Sequence, residues 1–190
     1  METVEIIGYK RANLGKKQSK DLRLEALVPC VLYGGAEQIH FYSPMILFRP
    51  VVYTQNVYKV KLNIEGDIYE AMLQATQFHP VSEVLMHADF LLLRADKQVK
   101  VEVPVRFAGT AVGVTKGGKL VQNLPKVKIK AFPKDLPAFV EIDVTELDLG
   151  KSVRVSDIPK GNFSILNVAS VPVGSVSVPR ALKGKEEAAK

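Results

Sequence analysis

Two groups of residues in the chain are of the types and spacings that do chemistry. The first is a run of cations. Lys10, Arg11, Lys16, Lys17, Lys20 and Arg23 fall within fourteen positions, opposed only by Asp21. Lys10-Arg11 close a strand-like segment, Gly15-Lys16-Lys17 reads as a loop, and Ser19-Lys20-Asp21-Leu22-Arg23 opens a helical one. Lysine and arginine neutralise phosphates with release of counterions, and the free amides of a helix N-terminus add to the attraction. A solvated loop and helix face has the same composition, so the residue types alone leave both readings open.

The second group is LQATQFHPVSEVLMHADF, with Gln74, Gln77, His79, His87 and Asp89. His87 and Asp89 are two apart and share a strand face. Gln74 and Gln77 are three apart, and a regular pleat sends them to opposite faces unless a bulge or bend intervenes. Amides, an imidazole and a carboxylate on one sheet surface can read base edges, the carboxylate accepting from an exocyclic amine. An exposed polar strand face, or a His–Asp hydrogen bond closing a barrel, is the plainer explanation from the residues alone. Tyr33, before Gly34-Gly35, can stack on a base or sugar or fill a core. Cys30, between Pro29 and Val31, reads as a small buried thiol, although pairing with His79 or His87 would make it a nucleophile. Phosphate-loop, dinucleotide, zinc-protease and serine-hydrolase signatures are all missing. Neither a catalytic residue, a metal site nor a cofactor is expected.

Strands must position these groups. Apolar and polar residues alternate in Val4–Tyr9, Val57–Ile64, Val99–Phe107, Val127–Phe132 and Val171–Val178. Glu65-Gly66-Asp67 reads as a hairpin turn before Ile68–Leu73. Two segments break the alternation. Ser19–Leu27 is expected to be a short helix with Ser19 as N-cap, Leu22 over Ala26, Leu24 over Leu27, and Pro29 as its stop. Arg49–Gln55 suits a helical turn through Pro50, although its β-branched residues fit a strand as well. The first part is therefore a strand-rich sheet or barrel. A boundary is expected at Leu91–Gln98, giving domains of 1–92 and 93–182, the second too poor in helix for an α/β fold. In it Lys126, Lys128 and Lys130 share one strand face, either a solvated one or a contact for RNA backbone.

At 190 residues and 47% apolar, the chain is long enough for one domain or two small ones and too apolar to be disordered. One cysteine and three histidines supply neither a disulfide nor a zinc site, and a reducing cytoplasm is expected. Met1–Lys10 has no basic and apolar leader pattern, and no span has the length and apolarity of a membrane helix, which predicts neither export nor membrane insertion. The net charge of +6 is unevenly held: nine basic against ten acidic residues lie up to Leu92, seventeen against ten beyond it. The cationic run thus sits on an otherwise acidic first half. Residues 183–190 (KGKEEAAK) have little to bury and read as a disordered tail.

Six segments, in this order, carry a resemblance: GKKQSKDLR (Gly15–Arg23), VPCVLYGG (Val28–Gly35), LQATQFHPV (Leu73–Val81), HADF (His87–Phe90), VPVRFAGTAVGVTKGGKL (Val103–Leu120) and EIDVTELDLGKSVRVSDI (Glu141–Ile158). With them the chain resembles the bacterial large-subunit ribosomal protein twenty-five family in its long two-domain form, also called the 5S-rRNA-binding general stress protein CTC family. The resemblance implies a mainly β protein: an N-terminal β-barrel with one or two short helices, then a second all-β domain. It implies a non-enzymatic, cytoplasmic constituent of the large subunit that binds the loop E region of 5S rRNA, a helix of non-standard pairs with a widened minor groove lined by magnesium ions. On that reading Lys10, Lys16, Ser19, Lys20 and Arg23 hold phosphates and sugars. Tyr33, Gln74, Gln77, His87 and Asp89 approach bases and riboses. The expected partners are 5S rRNA, neighbouring large-subunit proteins and 23S rRNA, with no membrane, the chain being a monomer off the ribosome. Two competing readings are an off-ribosome stress or protein-interaction module, and an enzyme using Cys30, His87 and Asp89.

The chain departs from the family pattern in places. Gly15-Lys16-Lys17 and Ser19-Lys20-Asp21 stand where the family has Gly-Lys-Gly and Ser-Arg-Arg. Lys20 keeps the charge but not the guanidinium fork, Lys17 offers partial compensation, and Asp21 is repelled by phosphate and left out of the site. Cys30 stands where a small residue is usual.

Overall fold

The computed structural model describes residues 1–159 and 161–179. They divide into two compact units: Met1–Val99 with Phe132–Ala138, and Lys100–Ala131 with the described residues from Phe139 onward. The expected tail at 183–190 lies outside the described residues.

The first unit is a closed barrel of six strands: β1 (Thr3–Lys10), β2 (Leu27–Tyr33), β3 (Ile39–Pro44), β4 (Lys59–Ile64), β5 (Asp67–Phe78) and β6 (Leu85–Leu92), in the order β1-β3-β2-β6-β5-β4. Parallel pairing of β1 with β4, from Thr3 opposite Lys59 to Gly8 opposite Ile64, closes it. The alternation read from the sequence over Val4–Tyr9 and Val57–Ile64 is the in–out pleat of β1 and β4, and the other strands complete the same wall. Ile6, Cys30, Phe41, Leu62, Ala88 and Phe90 point inward at 0% exposure, while Glu5, Ile7, Lys61 and Glu70 face outward. Phe41 and Phe48 flank the Phe90 ring with centroids 5.9 and 6.2 Å away. Each such fully buried large side chain contributes roughly 1.5–3 kcal/mol of transfer free energy. Phe48 and Val51 reach that core from a 3₁₀ turn (Met45–Phe48) running into a short helix (Arg49–Val52), so the helical reading of the Pro50 segment holds over a shorter span.

The hairpin between β4 and β5 turns where expected. Glu65 and Gly66 both have positive φ (54° and 100°), the pair that a two-residue hairpin with native twist requires, and Asn63 Oδ1 accepts from the Gly66 amide at 3.1 Å.

The helix differs from expectation at both ends. α1 spans Lys16–Leu24 with Gly15, not Ser19, at its N-cap. Ser19 sits inside it, its Oγ donating back to the Gly15 carbonyl at 2.9 Å. The helix stops five residues before Pro29, with Ala26 in the left-handed region (φ 57°), and Pro29 is buried in β2. Only Leu22 is buried from this helix, and Leu24 is 77% exposed. One apolar anchor is too weak a periodic signal to fix helix ends in the sequence.

The second unit has two sheets. β7 (Val99–Ala108), β9 (Lys126–Ala131), β10 (Val140–Asp143) and β12 (Ser164–Ile165) form one in the order β10-β7-β9-β12. β8 (Lys119–Gln122), β11 (Ser152–Arg154) and β13 (Pro172–Ser177) form the other, in the order β11-β13-β8. Val103, Val127, Ile129 and Val173 are fully buried, whereas Lys126 and Lys128 are exposed on the other face of β9, where Lys128 Nζ lies 3.6 Å from Glu102. No described helix is long and apolar enough to cross a membrane.

Candidate nucleic-acid interface

The N-terminal turn of α1 and the barrel wall beneath it enclose a concavity of about 470 Å³. Arg11, Leu14, Gly15, Lys16, Ser19, Arg23, Val31, His40 and His87 line it. Three of these are permanent cations and none is acidic. Segments distant in the chain meet here because α1 links β1 to β2, and β2 lies between β3 and β6.

Arg23 fastens the helix to the wall. The register between β5 and β6 passes from Gln77 opposite His87 to Phe78 opposite Leu85, which leaves Met86 without a partner residue. Its carbonyl accepts from Arg23 Nε at 3.1 Å. The same arginine lines the concavity. Arg11 braces the helix start: its Nη2 donates to Ser19 Oγ at 3.0 Å and more distantly to Gln18 Oε1 and the Asn13 carbonyl. Its Nε is buried without a hydrogen-bond partner among the described residues. Buried donors are seldom left so.

Beside the concavity lies the polar face of β5 and β6. His87 Nδ1 donates to Asp89 Oδ1 at 3.0 Å, which leaves Nε2 as an acceptor. Partial burial holds the His87 pKa below its ordinary value, with the guanidinium groups of Arg23 and Arg11 acting in the same sense against the attraction of Asp89. Between Leu73 opposite Phe90 and Ala75 opposite Asp89 the register shifts by one. Gln74 is the extra residue of that bulge, and parity reverses after it, so that Gln77 stands across from His87 on the outer face. The odd spacing of the two glutamines is thereby resolved. Both are exposed.

The other expected site residues are placed as follows. Tyr33 is half-buried at the end of β2 opposite Leu91, before Gly34, whose φ of 95° favours glycine. Lys20 is exposed on α1. Lys10 does not line the concavity; its ammonium lies 3.4 Å from Asp67 Oδ2 and its amide donates to Glu65 Oε1. Arg11 and His40 were not singled out as site residues from the sequence, although Arg11 belongs to the cationic run. Nothing local marks His40; only the pairing of β3 beside β1 and β2 brings it here.

The enzyme reading fails on geometry. Cys30 points into the barrel core at 0% exposure, where burial pushes its thiol pKa far up, while His87 and Asp89 lie on the outer face of the same wall. His79 is spent on a turn, its Nδ1 accepting from the amides of Val81 and Ser82. Among the described residues no group of His, Cys, Asp and Glu could hold a metal ion.

Two family models cover the first and second parts of the chain in turn. Residues 6–90 match the ribosomal L25p family, and residues 98–180 match the C-terminal domain of ribosomal protein TL5. Such a pair defines a ribosomal protein of two β modules. The large ribosomal subunit protein bL25 of Cytophaga hutchinsonii is 57% identical over 189 residues, covering 100% of this chain and 98% of its own length. That of Amoebophilus asiaticus is 51% identical over 183 residues, covering 96% and 93%. The chain belongs to the bL25 family of large-ribosomal-subunit proteins, in its long two-domain form. This is a family of ribosomal structural proteins rather than enzymes, working on the ribosome in the bacterial cytoplasm.

Proposed function

We propose that the first domain, residues 1–92, binds 5S rRNA at its loop E region and that the concavity under α1 is where the RNA backbone enters. The observation that carries this reading is the lining itself: Arg11, Lys16 and Arg23 converge with Ser19 and His87 and no carboxylate. The cations take phosphates, and Lys10 and Lys20 extend the positive border. Gln74, Gln77, His87 and Asp89 face the minor groove, where a distorted RNA helix displays base edges and 2′-hydroxyls, and Tyr33 abuts a ribose or base. Neutral His87 accepts a hydroxyl proton at Nε2, and Asp89, with one oxygen engaged by His87, offers the other to an exocyclic amine. The second domain, residues 93–182, contacts neighbouring ribosomal proteins or 23S rRNA.

The test is binding of the full-length protein to a loop E fragment and to a regular RNA duplex of equal length across a salt series. Tight, salt-dependent preference for loop E supports the reading. Equal, weak binding to both would reduce the cationic run to a solvated surface.

A further inference from the structure

Along the barrel wall from the concavity lies a feature that the contacts above leave unused. Tyr9 of β1 and Tyr42 of β3 face each other across the antiparallel register, with ring centroids 5.6 Å apart and planes tilted by 30°. The core at this level is filled from the other face, by Ile6 and Phe41, and Gly8 is small because a Cβ there would meet the Phe41 ring at 2.6 Å. The tyrosines therefore lie outside the core. Tyr9 is 48% exposed and Tyr42 half-buried.

The pair adjoins the concavity through the strands themselves. Arg11 follows Tyr9 by two residues and His40 precedes Tyr42 by two, so each lies next along the same outer face. The Arg11 amide donates to the His40 carbonyl at 2.9 Å, carrying the ladder one step past the end of β1. Both residues line the concavity. A ledge of two aromatic rings thus runs directly into a cationic, carboxylate-free hollow. Positive charge that tracks a backbone beside rings that accept a base is the arrangement used to hold unpaired nucleotides.

We propose that the Tyr9–Tyr42 ledge stacks a nucleobase turned out of the RNA helix, on the nucleotide whose phosphate enters beside Arg11. This rests on the rRNA-binding reading above and adds a contact to it. Stacking involves no charge, so its contribution does not change with salt, whereas that of the lysines and arginines does. That difference separates the two.

The experiment measures binding of the full-length protein to 5S rRNA from low to high salt, for the wild type, Tyr9→Leu/Tyr42→Leu, Tyr9→Phe/Tyr42→Phe and Lys16→Ala. The leucine pair is expected to bind at least about fivefold more weakly with an unchanged salt slope, and the phenylalanine pair to bind as the wild type does. Lys16→Ala is expected to lower the slope. If the wild type shows no preference for 5S rRNA over a regular RNA duplex of equal length measured beside it, the rRNA-binding reading itself fails. If it does, and the leucine pair binds equally well, the ledge alone is refuted. A photoreactive benzoylphenylalanine at position 9 keeps the test independent of how the leucine pair folds. Crosslinking to an RNA base in the 5S complex supports the ledge, and crosslinking only to a protein in purified large subunits, or to nothing, overturns it.

Discussion

Arg23 is predicted to serve two purposes, and substituting it separates them. Its Nε donates at 3.1 Å, in a part-buried setting, to the carbonyl of Met86, the residue that the β5–β6 irregularity leaves without a register partner. Arg23→Ala removes a charged donor from that carbonyl, which water can reach only in part. The cost is about 1 kcal/mol, the low end of the range for an unmade buried bond. For a unit of roughly 100 residues that lowers the melting temperature by about 4–8 °C. In the RNA complex the same variant also loses one phosphate contact. The slope of log affinity against log salt then falls in magnitude by about 0.7–0.9. Arg23→Lys should keep the slope, since the charge remains, yet lose affinity, because one ammonium cannot serve the Met86 carbonyl and a phosphate with the geometry of a guanidinium. Thermal unfolding followed on the first unit, together with titrations of 5S rRNA at four or more salt concentrations, measures both effects. An Arg23→Ala protein with wild-type melting and wild-type slope would refute the assignment of both purposes.

Other outcomes follow from particular contacts. The His87 ring, titrated by its carbon-bound protons in NMR, should show a pKa below 6.5. Arg23→Gln should raise it and Asp89→Asn lower it, because the first removes a repelling cation and the second an attracting carboxylate. The sign for stability follows: the unfolded chain takes up the proton more readily, so this contribution is complete above pH 6.5 and declines as the pH falls through the folded-state value. Asp89→Ala should weaken RNA binding by about 1–3 kcal/mol and relax discrimination between loop E and regular duplex, as loss of a base-edge contact does; an unchanged preference would remove Asp89 from the readout. Cys30 should resist a thiol reagent such as dithionitrobenzoate in the native protein and react fully on unfolding. Rapid native labelling would contradict its place in the core. Gly34→Ala should destabilise the first unit by about 1–3 kcal/mol, since the φ of 95° is strained for alanine and its Cβ would lie 2.8 Å from the Leu91 side chain; chemical denaturation measures this.

β1 and β4 were legible because their residues obey the in–out pleat, as in Val60, Leu62 and Ile64 of β4, whereas β3 (Ile39–Pro44) has too short an alternation to be read and β2 buries Val28, Pro29 and Cys30 in succession. Closure was not, because the residues that close the barrel, Thr3–Gly8 against Lys59–Ile64, have no local mark of their partners. The face of Gln74 hinged on one bulge: its spacing to Gln77 announced that an irregularity was needed but not where. The helix start was misread at Ser19, a good N-cap residue by type, because its hydroxyl instead donates back to the Gly15 carbonyl from inside the helix and accepts from Arg11, eight residues away across a loop. The same contact explains why Arg11 looked like one cation among several. Its part in the concavity depends on the β1–β3 pairing and on α1 lying over β2. Chemistry-bearing residues could thus be named from their types, while their convergence belongs to the topology.

The most direct test of the central claim is to map which backbone amides of the full-length protein become protected from hydrogen exchange on adding loop E RNA. Protection is predicted over α1 and over the segments of β2, β5 and β6 that carry Val31–Tyr33, Gln74–Gln77 and His87–Asp89. Protection confined to the second domain, or none at all, would contradict it.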